Sequence, residues 1–207
     1  MDVSPYRLFE NNILVVDNYD SFVWNVIALL RESEPDCCLT ISKNDEVDLS
    51  SLSSYDGILL SPGPGLPSEA GLMPELIRLC ADTHSVLGIC LGHQAIAECF
   101  GAKLKQLQAP LHGLKDRLHI VKPEDDLLKG LSPHESIGHY HSWVVASEGF
   151  PECLEVTSRD ENGEIMSLRH KTKRLYGLQF HPESYITSCG AEIIRNWLQT
   201  ISKTTGK

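Results

Sequence analysis

The sequence contains no apolar run long enough to cross a membrane, and residues 1–5 lack the basic and apolar regions of a secretion signal. Basic residues are the minority, since 18 Lys and Arg stand against 28 Asp and Glu for a formal net charge of −10. Because phosphate binding requires clustered Lys and Arg, this balance argues against nucleic acid as the main ligand. We expect a cytoplasmic protein whose partners include neither a membrane nor a nucleic acid.

The seven cysteines include no C-x-x-C pair, and most of them stand among apolar residues. Such a scattered, odd-numbered set is typical of buried thiols in a reducing compartment. Cys90 and His93 have the spacing of half a zinc motif, but no second pair of suitable spacing follows. The sequence also lacks the Gly-Lys-Ser/Thr of a phosphate-binding loop. We therefore predict no metal site and no cofactor.

The chain has 207 residues, of which 42% are hydrophobic, and it contains no repeat or Pro/Gly linker that would divide it. This length and composition suit one substantial soluble domain. We predict an N-terminal extension over 1–11, a single domain over 12–201 and a C-terminal tail over 202–207.

Continuous apolar runs alternate with helical patterns in the first half, which predicts parallel strands covered by helices on both faces. These strands are predicted over 12–17, 39–42, 57–61 and 85–89. The second half carries shorter, turn-bounded candidates, which predict antiparallel strands. They cover 118–121, 142–146, 154–158, 164–169 and 175–180, before a last helix over 191–200. The fold class is therefore α/β: one mixed, mostly parallel central sheet flanked by helices, with ligands at the carboxyl ends of the parallel strands.

Cys90 stands where an apolar strand pattern ends and a helical pattern begins. A thiol at the N-terminus of a helix is favoured as thiolate by the helix dipole and the free N–H groups. Flanking Gly88 and Gly92 allow the backbone to bend sharply and a substrate to approach. The pattern indicates a nucleophile with an oxyanion site beside it. The alternative is a packed apolar thiol, which is the commoner fate of a lone cysteine.

His181 and Glu183 follow the predicted strand 175–180. Residues two apart in an extended segment point to the same side, and Pro182 between them marks the strand end. A histidine near a thiol can move its proton, and a carboxylate behind the histidine fixes its tautomer. A surface His–Glu pair is the alternative interpretation.

The loop 61–65, Ser-Pro-Gly-Pro-Gly, follows the predicted strand 57–61. Its glycines can direct a backbone N–H toward an oxyanion or a carboxylate. A plain connecting loop is the alternative.

Six segments together resemble, in order, the motifs of the class I (triad) glutamine amidotransferases. These segments are 17–22, 61–65, 67–71, 88–94, 139–142 and 179–184. The resemblance extends over about 12–200 and implies a flavodoxin-like fold.

The resemblance also implies roles for individual residues. Cys90 is similar to the nucleophile that attacks the side-chain amide of L-glutamine, His181 to the acid–base and Glu183 to the residue that orients it. The implied reaction releases ammonia as a γ-glutamyl thioester forms on the cysteine, and the thioester is then hydrolysed to glutamate. Backbone N–H groups near Gly63 and Leu91 resemble the oxyanion hole. Including these two, the substrate-binding positions of the family fall on Gly63, Pro64, Gly65, Leu91, Gln94, Ser142 and Trp143.

Two residues depart from the pattern of many family members. Leu114 stands where many carry Lys in a loop near the synthase interface, and Trp143 replaces a smaller apolar residue, with core packing as its alternative role. His139 and His141 are expected in structural or substrate-contact roles, because His181 already has a carboxylate partner.

Within the family, the motifs resemble those of the small subunits of anthranilate synthase and aminodeoxychorismate (para-aminobenzoate) synthase. This resemblance implies a chorismate-binding synthase large subunit (component I) as partner, and we expect the site that uses the ammonia on that other polypeptide. Tryptophan and folate biosynthesis both remain open, with anthranilate synthase component II as the leading interpretation. The further alternatives are a catalytically silent regulatory module and a cysteine hydrolase of other amides.

Overall fold

A computed structural model describes residues 11–201. Residues 1–10 of the expected extension and the expected tail 202–207 lie outside the described residues. Strand and helix alternate over the first half. The elements there are β1 (Asn12–Asp17), α1 (Val23–Ser33), β2 (Cys38–Lys43), β3 (Gly57–Leu60), α2 (Met73–Cys80), β4 (Ser85–Ile89) and α3 (Leu91–Cys99).

Strands predominate in the second half, which closes with one helix. The elements there are β5 (Leu104–Arg117), β6 (His119–Ile120), β7 (Ser136–Val145), β8 (Leu154–Arg159), β9 (Ile165–His170), β10 (Leu175–Leu178) and α4 (Gly190–Thr200). Two short 3₁₀ helices, Leu49–Ser54 and Pro67–Glu69, lie in the connections of the first half.

The central sheet has eight strands in the order β2-β1-β3-β4-β10-β9-β8-β6. The first five are parallel to one another, and β9, β8 and β6 extend the sheet by antiparallel pairing. The order of the parallel part is that of a flavodoxin-like fold. The predicted α/β class with a mixed, mostly parallel sheet is therefore confirmed. The prediction that 175–180 is an antiparallel strand was wrong for one of its two neighbours, because β10 is parallel to β4 and antiparallel only to β9.

Alternate residues of the parallel strands contribute to two separate cores. Ile13 and Val15 join a cluster with α1 and α4, whereas Leu14 and Val16 join one with α2 and α3. This two-sided burial explains why the sequence of each strand is continuously apolar. No helix in the described part of the chain has the length and apolar character that crossing a membrane requires.

Strands β5 and β7 form a separate antiparallel sheet of two strands. The expectation of a single sheet was wrong in this respect, because the predicted strand 142–146 belongs to β7, which pairs with β5 instead of the central sheet. The register between the two strands shifts twice, and Gly113 has a φ of +66° at the second shift. These irregularities interrupt the alternating pattern that would have predicted β5.

Candidate active site

Cys90 occupies the single residue between the end of β4 and the start of α3. Its φ of +51° and ψ of −100° are strained for a non-glycine residue, and its N–H donates to the Leu178 carbonyl on the neighbouring strand across 2.7 Å. The corner therefore presents the thiol at the carboxyl edge of the sheet, on the N-terminal side of the helix. Cys90 is buried.

Two glycines make this corner sterically possible. A Cβ added at Gly88 would lie 2.4 Å from the backbone carbonyl of Gly92, and a Cβ added at Gly92 would lie 2.6 Å from the Leu60 carbonyl oxygen. Any side chain at either position would push α3 away from β4 and β3. Glycine is thus required at both positions by direct backbone contact, whereas the sequence-based reasons were a sharp bend and access for a substrate.

His181 reaches the same edge because β10 lies beside β4 in the sheet. Its Nδ1 is 2.6 Å from Oε1 of Glu183, whose side chain is completely buried. Burial opposes the charged imidazole, but the neighbouring Cys90 sulfur and the Glu183 carboxylate outweigh it and raise the pKa of His181 to about 10. The other ring nitrogen, Nε2, is buried and has no hydrogen-bond partner. The arrangement favours an imidazolium between a sulfur and a carboxylate.

Aromatic rings hold His181 in place. The ring of Tyr140 lies 4.9 Å and that of Phe22 5.4 Å from the imidazole, centroid to centroid. The Tyr140 hydroxyl is 3.1 Å from the Ser184 hydroxyl, and the Thr187 hydroxyl donates to the His181 carbonyl across 2.6 Å. The imidazole therefore has little freedom to rotate away from Cys90.

Gln179 is a site residue that sequence reasoning missed. Its Nε2 donates to Cys90 Sγ across 3.6 Å, and its Oε1 accepts from Gln94 Nε2 across 3.1 Å. Gln94 Nε2 also donates to the Trp143 carbonyl across 2.8 Å. The position of Gln179 two residues before His181, on the same strand end, is the signal that could have indicated it.

The loop 61–65 is fixed from the end of β1. Asn18 donates its backbone N–H to Ser61 Oγ and its side-chain amide to the Ser61 carbonyl, at 2.9 and 2.8 Å. A Cβ added at Gly63 would lie 2.6 Å from both Asn18 Cβ and Leu91 Cδ2. The loop therefore sits directly against the first residue of α3, as the two predicted oxyanion positions require.

A cavity of about 350 Å³ opens beside Cys90. Six of the seven predicted substrate positions line it together with the thiol: Gly63, Pro64, Gly65, Gln94, Ser142 and Trp143. Leu91 instead lines an adjoining cavity, with Asn18 and Pro64. Trp143 is only half-buried and so does not take the core position that was its alternative.

The cavity also includes residues that were given no role in substrate binding, and His141, for which a structural or substrate-contact role was expected. The residues without an expected role are Gln106, Pro110, Leu111, His112 and Tyr140. Most of them come from the irregular strand β5, where no strand was predicted. Leu114, two residues beyond His112, is half-exposed and lies outside the cavity lining. His139 and His141 are buried on one face of β7, with Nδ1 of the first 2.9 Å from Nε2 of the second.

The sequence profile of the family described as glutamine amidotransferase class-I matches residues 14–201. The chain belongs to the class I glutamine amidotransferase family. The match covers the parallel sheet from Leu14 onward, together with Cys90, His181 and Glu183.

Individual members of the class I glutamine amidotransferase family are similar to this chain over most of its length. The bifunctional protein TrpGD of Thermotoga maritima is 40% identical over 94% of this chain, which spans 33% of that protein. The aminodeoxychorismate/anthranilate synthase component 2 of Bacillus subtilis is 38% identical, with 92% of this chain and 97% of that protein covered. A solved structure from Thermoplasma acidophilum, described as a candidate subunit of GMP synthase, superposes with a TM-score of 0.81 at 28% identity, over 92% and 93% of the two chains.

Proposed function

We propose that this chain hydrolyses L-glutamine through Cys90, His181 and Glu183 and supplies the ammonia to a partner. The observation that carries the proposal is the grouping of the three side chains: a thiol on a strained corner that lines the cavity, and beside it an imidazole 2.6 Å from a buried carboxylate. Membership of the class I glutamine amidotransferase family supports the choice of substrate.

The first half-reaction forms a thioester. The Cys90 thiolate attacks the γ-carbonyl carbon of glutamine, the C–N bond breaks, and the His181 imidazolium gives its proton to the leaving nitrogen, which departs as ammonia. Backbone N–H groups of Gly63 and Leu91 stabilise the oxyanion of the tetrahedral intermediate. Glu183 keeps the imidazolium oriented throughout.

The second half-reaction restores the enzyme. Water gives a proton to the neutral His181 and attacks the thioester carbon, the C–S bond breaks, and glutamate leaves while Cys90 returns to the thiolate. The cavity residues Gly63, Pro64, Gly65, Gln94, Ser142 and Trp143 hold the amino acid during both steps, with the backbone of the loop 61–65 available to its polar groups.

The ammonia goes to a chorismate-binding synthase large subunit. Ammonia released into neutral water is mostly protonated and loses its nucleophilicity, so direct delivery within a complex preserves it. Relatives named as component 2 of anthranilate or aminodeoxychorismate synthase support this partner. We propose anthranilate as the product and 4-amino-4-deoxychorismate as the alternative. The absence of a disulfide among the seven cysteines of the described residues supports a location in the reducing cytoplasm.

Affinity labelling tests the catalytic part of the proposal. A glutamine analogue in which a chloromethyl ketone replaces the side-chain amide should alkylate Cys90, with loss of chloride, and peptide mass spectrometry should locate the adduct. Excess glutamine should protect the thiol, and Cys90→Ala should take up no reagent in the cavity. Labelling confined to the exposed Cys38, or glutaminase activity retained by Cys90→Ala, would overturn the assignment.

Reconstitution tests the partner. The large subunit that co-purifies with this chain should convert chorismate and glutamine to anthranilate, and glutaminase activity should rise in the complex. Formation of 4-amino-4-deoxychorismate alone would assign the chain to the folate route. A glutaminase rate that is independent of any partner would favour a free amide hydrolase.

A further inference from the structure

A second group of chemically active side chains lies away from the thiol. Asp116 on β5, His139 on β7 and Asp160 in the turn after β8 each offer one ligand atom, and these atoms all lie within 4.8 Å of one another. His139 and Asp160 are at least 97% buried, at 1% and 3% exposure. Two of the atoms in this group, His139 Nε2 and Asp160 Oδ2, have no hydrogen-bond partner.

The second polar atom of each of the three residues is already in a hydrogen bond. The atom left over in each case is the one that lies near the other two residues. Asp160 Oδ1 accepts the N–H groups of Asn162 and Glu164, at 3.0 and 2.7 Å. Asp116 Oδ1 accepts the Arg117 N–H across 2.6 Å. His139 Nδ1 is 2.9 Å from a ring nitrogen of His141.

No positive side chain balances these two carboxylates in the described part of the chain. The ion pairs found there include no Lys or Arg with either Asp116 or Asp160, and the single close contact is between His139 Nε2 and Asp116 Oδ2 at 3.4 Å. Burial lowers the pKa of His139 and raises that of Asp160. Buried carboxylates are ordinarily paired or bound to a metal.

We propose that Asp116, His139 and Asp160 bind a divalent cation, with zinc as the preferred ion. One imidazole nitrogen and two carboxylate oxygens are a ligand set that zinc accepts. Tetrahedral bonds of about 2.0–2.1 Å place neighbouring ligand atoms about 3.3–3.4 Å apart, which is the separation of His139 Nε2 and Asp116 Oδ2. Asp116 is partly exposed, so water can reach a fourth position.

The cation would join the two sheets. Asp116 and His139 belong to the pair β5–β7, whereas Asp160 belongs to the turn between β8 and β9 of the central sheet. Coordination through Nε2 leaves the His139 proton on Nδ1, from which it is donated to His141 at the wall of the substrate cavity. The metal would therefore have a structural role, and His141, which is hydrogen-bonded to its ligand His139, lines the proposed glutamine pocket.

Metal titration of the full chain tests this site. After dialysis against a chelator, zinc should bind with a stoichiometry of one by calorimetry and raise the melting temperature by several degrees. Asp160→Asn keeps the Oδ1 acceptor of the turn but loses the inward oxygen, so its zinc affinity should fall at least about 100-fold. Asp116→Asn should behave in the same way.

Glu161→Gln is the matched control, because this exposed neighbour loses the same charge without facing the cluster. Its zinc affinity should equal that of the unaltered chain. X-ray absorption should find only nitrogen and oxygen at about 2.0–2.1 Å, since a sulfur neighbour at about 2.3 Å would place the ion on the cysteines instead. Equal binding by Asp160→Asn, Asp116→Asn and the unaltered chain, or no binding at all, would overturn the proposal.

Discussion

The side-chain amide of Gln179, the residue after β10, donates a hydrogen bond to the Cys90 sulfur across 3.6 Å, and β10 lies beside the strand that ends at the thiol. Its carbonyl end accepts from Gln94, so the orientation of the amide is fixed. A donor aimed at the sulfur stabilises the thiolate and holds it at one position along the cavity wall.

Removal of this donor should slow the chemistry at Cys90. Gln179→Met should lower both the alkylation rate at pH 7 and kcat for glutamine by about 10-fold or more, because a hydrogen bond to a charged acceptor contributes about 1.5–3 kcal/mol. Gln179→Glu, which places a negative charge beside the thiolate, should lose more. Gln199→Met, on the exposed side of α4, is the matched control and should leave both rates unchanged. Equal rates in Gln179→Met would show that the contact has no catalytic role.

The raised pKa of His181 should depend on both of its partners. Burial alone lowers the pKa, whereas Cys90 and Glu183 raise it, so Cys90→Ala and Glu183→Gln should each shift the titration of His181 to lower pH. Nuclear magnetic resonance of histidine-labelled protein measures this directly, and His84, outside the site, provides the reference signal. An unshifted titration in both variants would contradict the ion-pair arrangement.

Gly88 should tolerate no side chain. Gly88→Ala places a methyl group 2.4 Å from the Gly92 backbone, so we expect the free energy of unfolding in urea to fall by roughly 3 kcal/mol and glutaminase activity to be lost as the corner moves. A methyl group in Gly149→Ala meets no atom within 4 Å, and its only strain is the φ of +66°. This variant should lower the free energy of unfolding by about 1–2 kcal/mol and keep its glutaminase activity. Full activity in Gly88→Ala would refute the steric argument.

Tyr185 should contact the proposed synthase partner. It is 94% exposed and stands two residues after Glu183, and an exposed aromatic ring beside a site is a frequent anchor of an interface. Tyr185→Ala should weaken binding of the large subunit by at least about 10-fold in surface plasmon resonance, with the glutaminase rate of the isolated chain unchanged. Leu79→Ala, an exposed apolar residue on α2, serves as control. If both variants bind equally well, the partner docks elsewhere.

Local pattern was sufficient to predict the corner at Cys90 and the pairing of His181 with Glu183. The corner at Cys90 follows from a continuous apolar run that ends at a thiol, with a glycine and a helical period after it. The pairing of His181 with Glu183 follows from their two-residue spacing across Pro182. The parallel direction of the strands in the first half followed from the alternation of strand and helix patterns, because parallel strands are joined by right-handed helical crossovers.

Contacts between distant segments could not be predicted in this way. Pro110 and Gly113 interrupt the alternation of β5, so neither the strand nor its cavity residues were predicted. The cluster of Asp116, His139 and Asp160 draws on three segments of two sheets and has no characteristic spacing. The spacing of Cys90 and His93 could not indicate the position of the His93 ring, which is buried against Gly177, where burial lowers its pKa to about 3.

The placement of β10 beside β4 bears on synthesis at the ribosome. Cys90 emerges 91 residues ahead of His181, and even its own N–H bonds to Leu178 of the later strand. A nascent chain that ends before residue 175 lacks both His181 and the strand whose Leu178 carbonyl accepts from the Cys90 N–H. If hydrolysis proceeds through Cys90 and His181 as proposed, it requires translation past β10, and products truncated before that point should consume no glutamine.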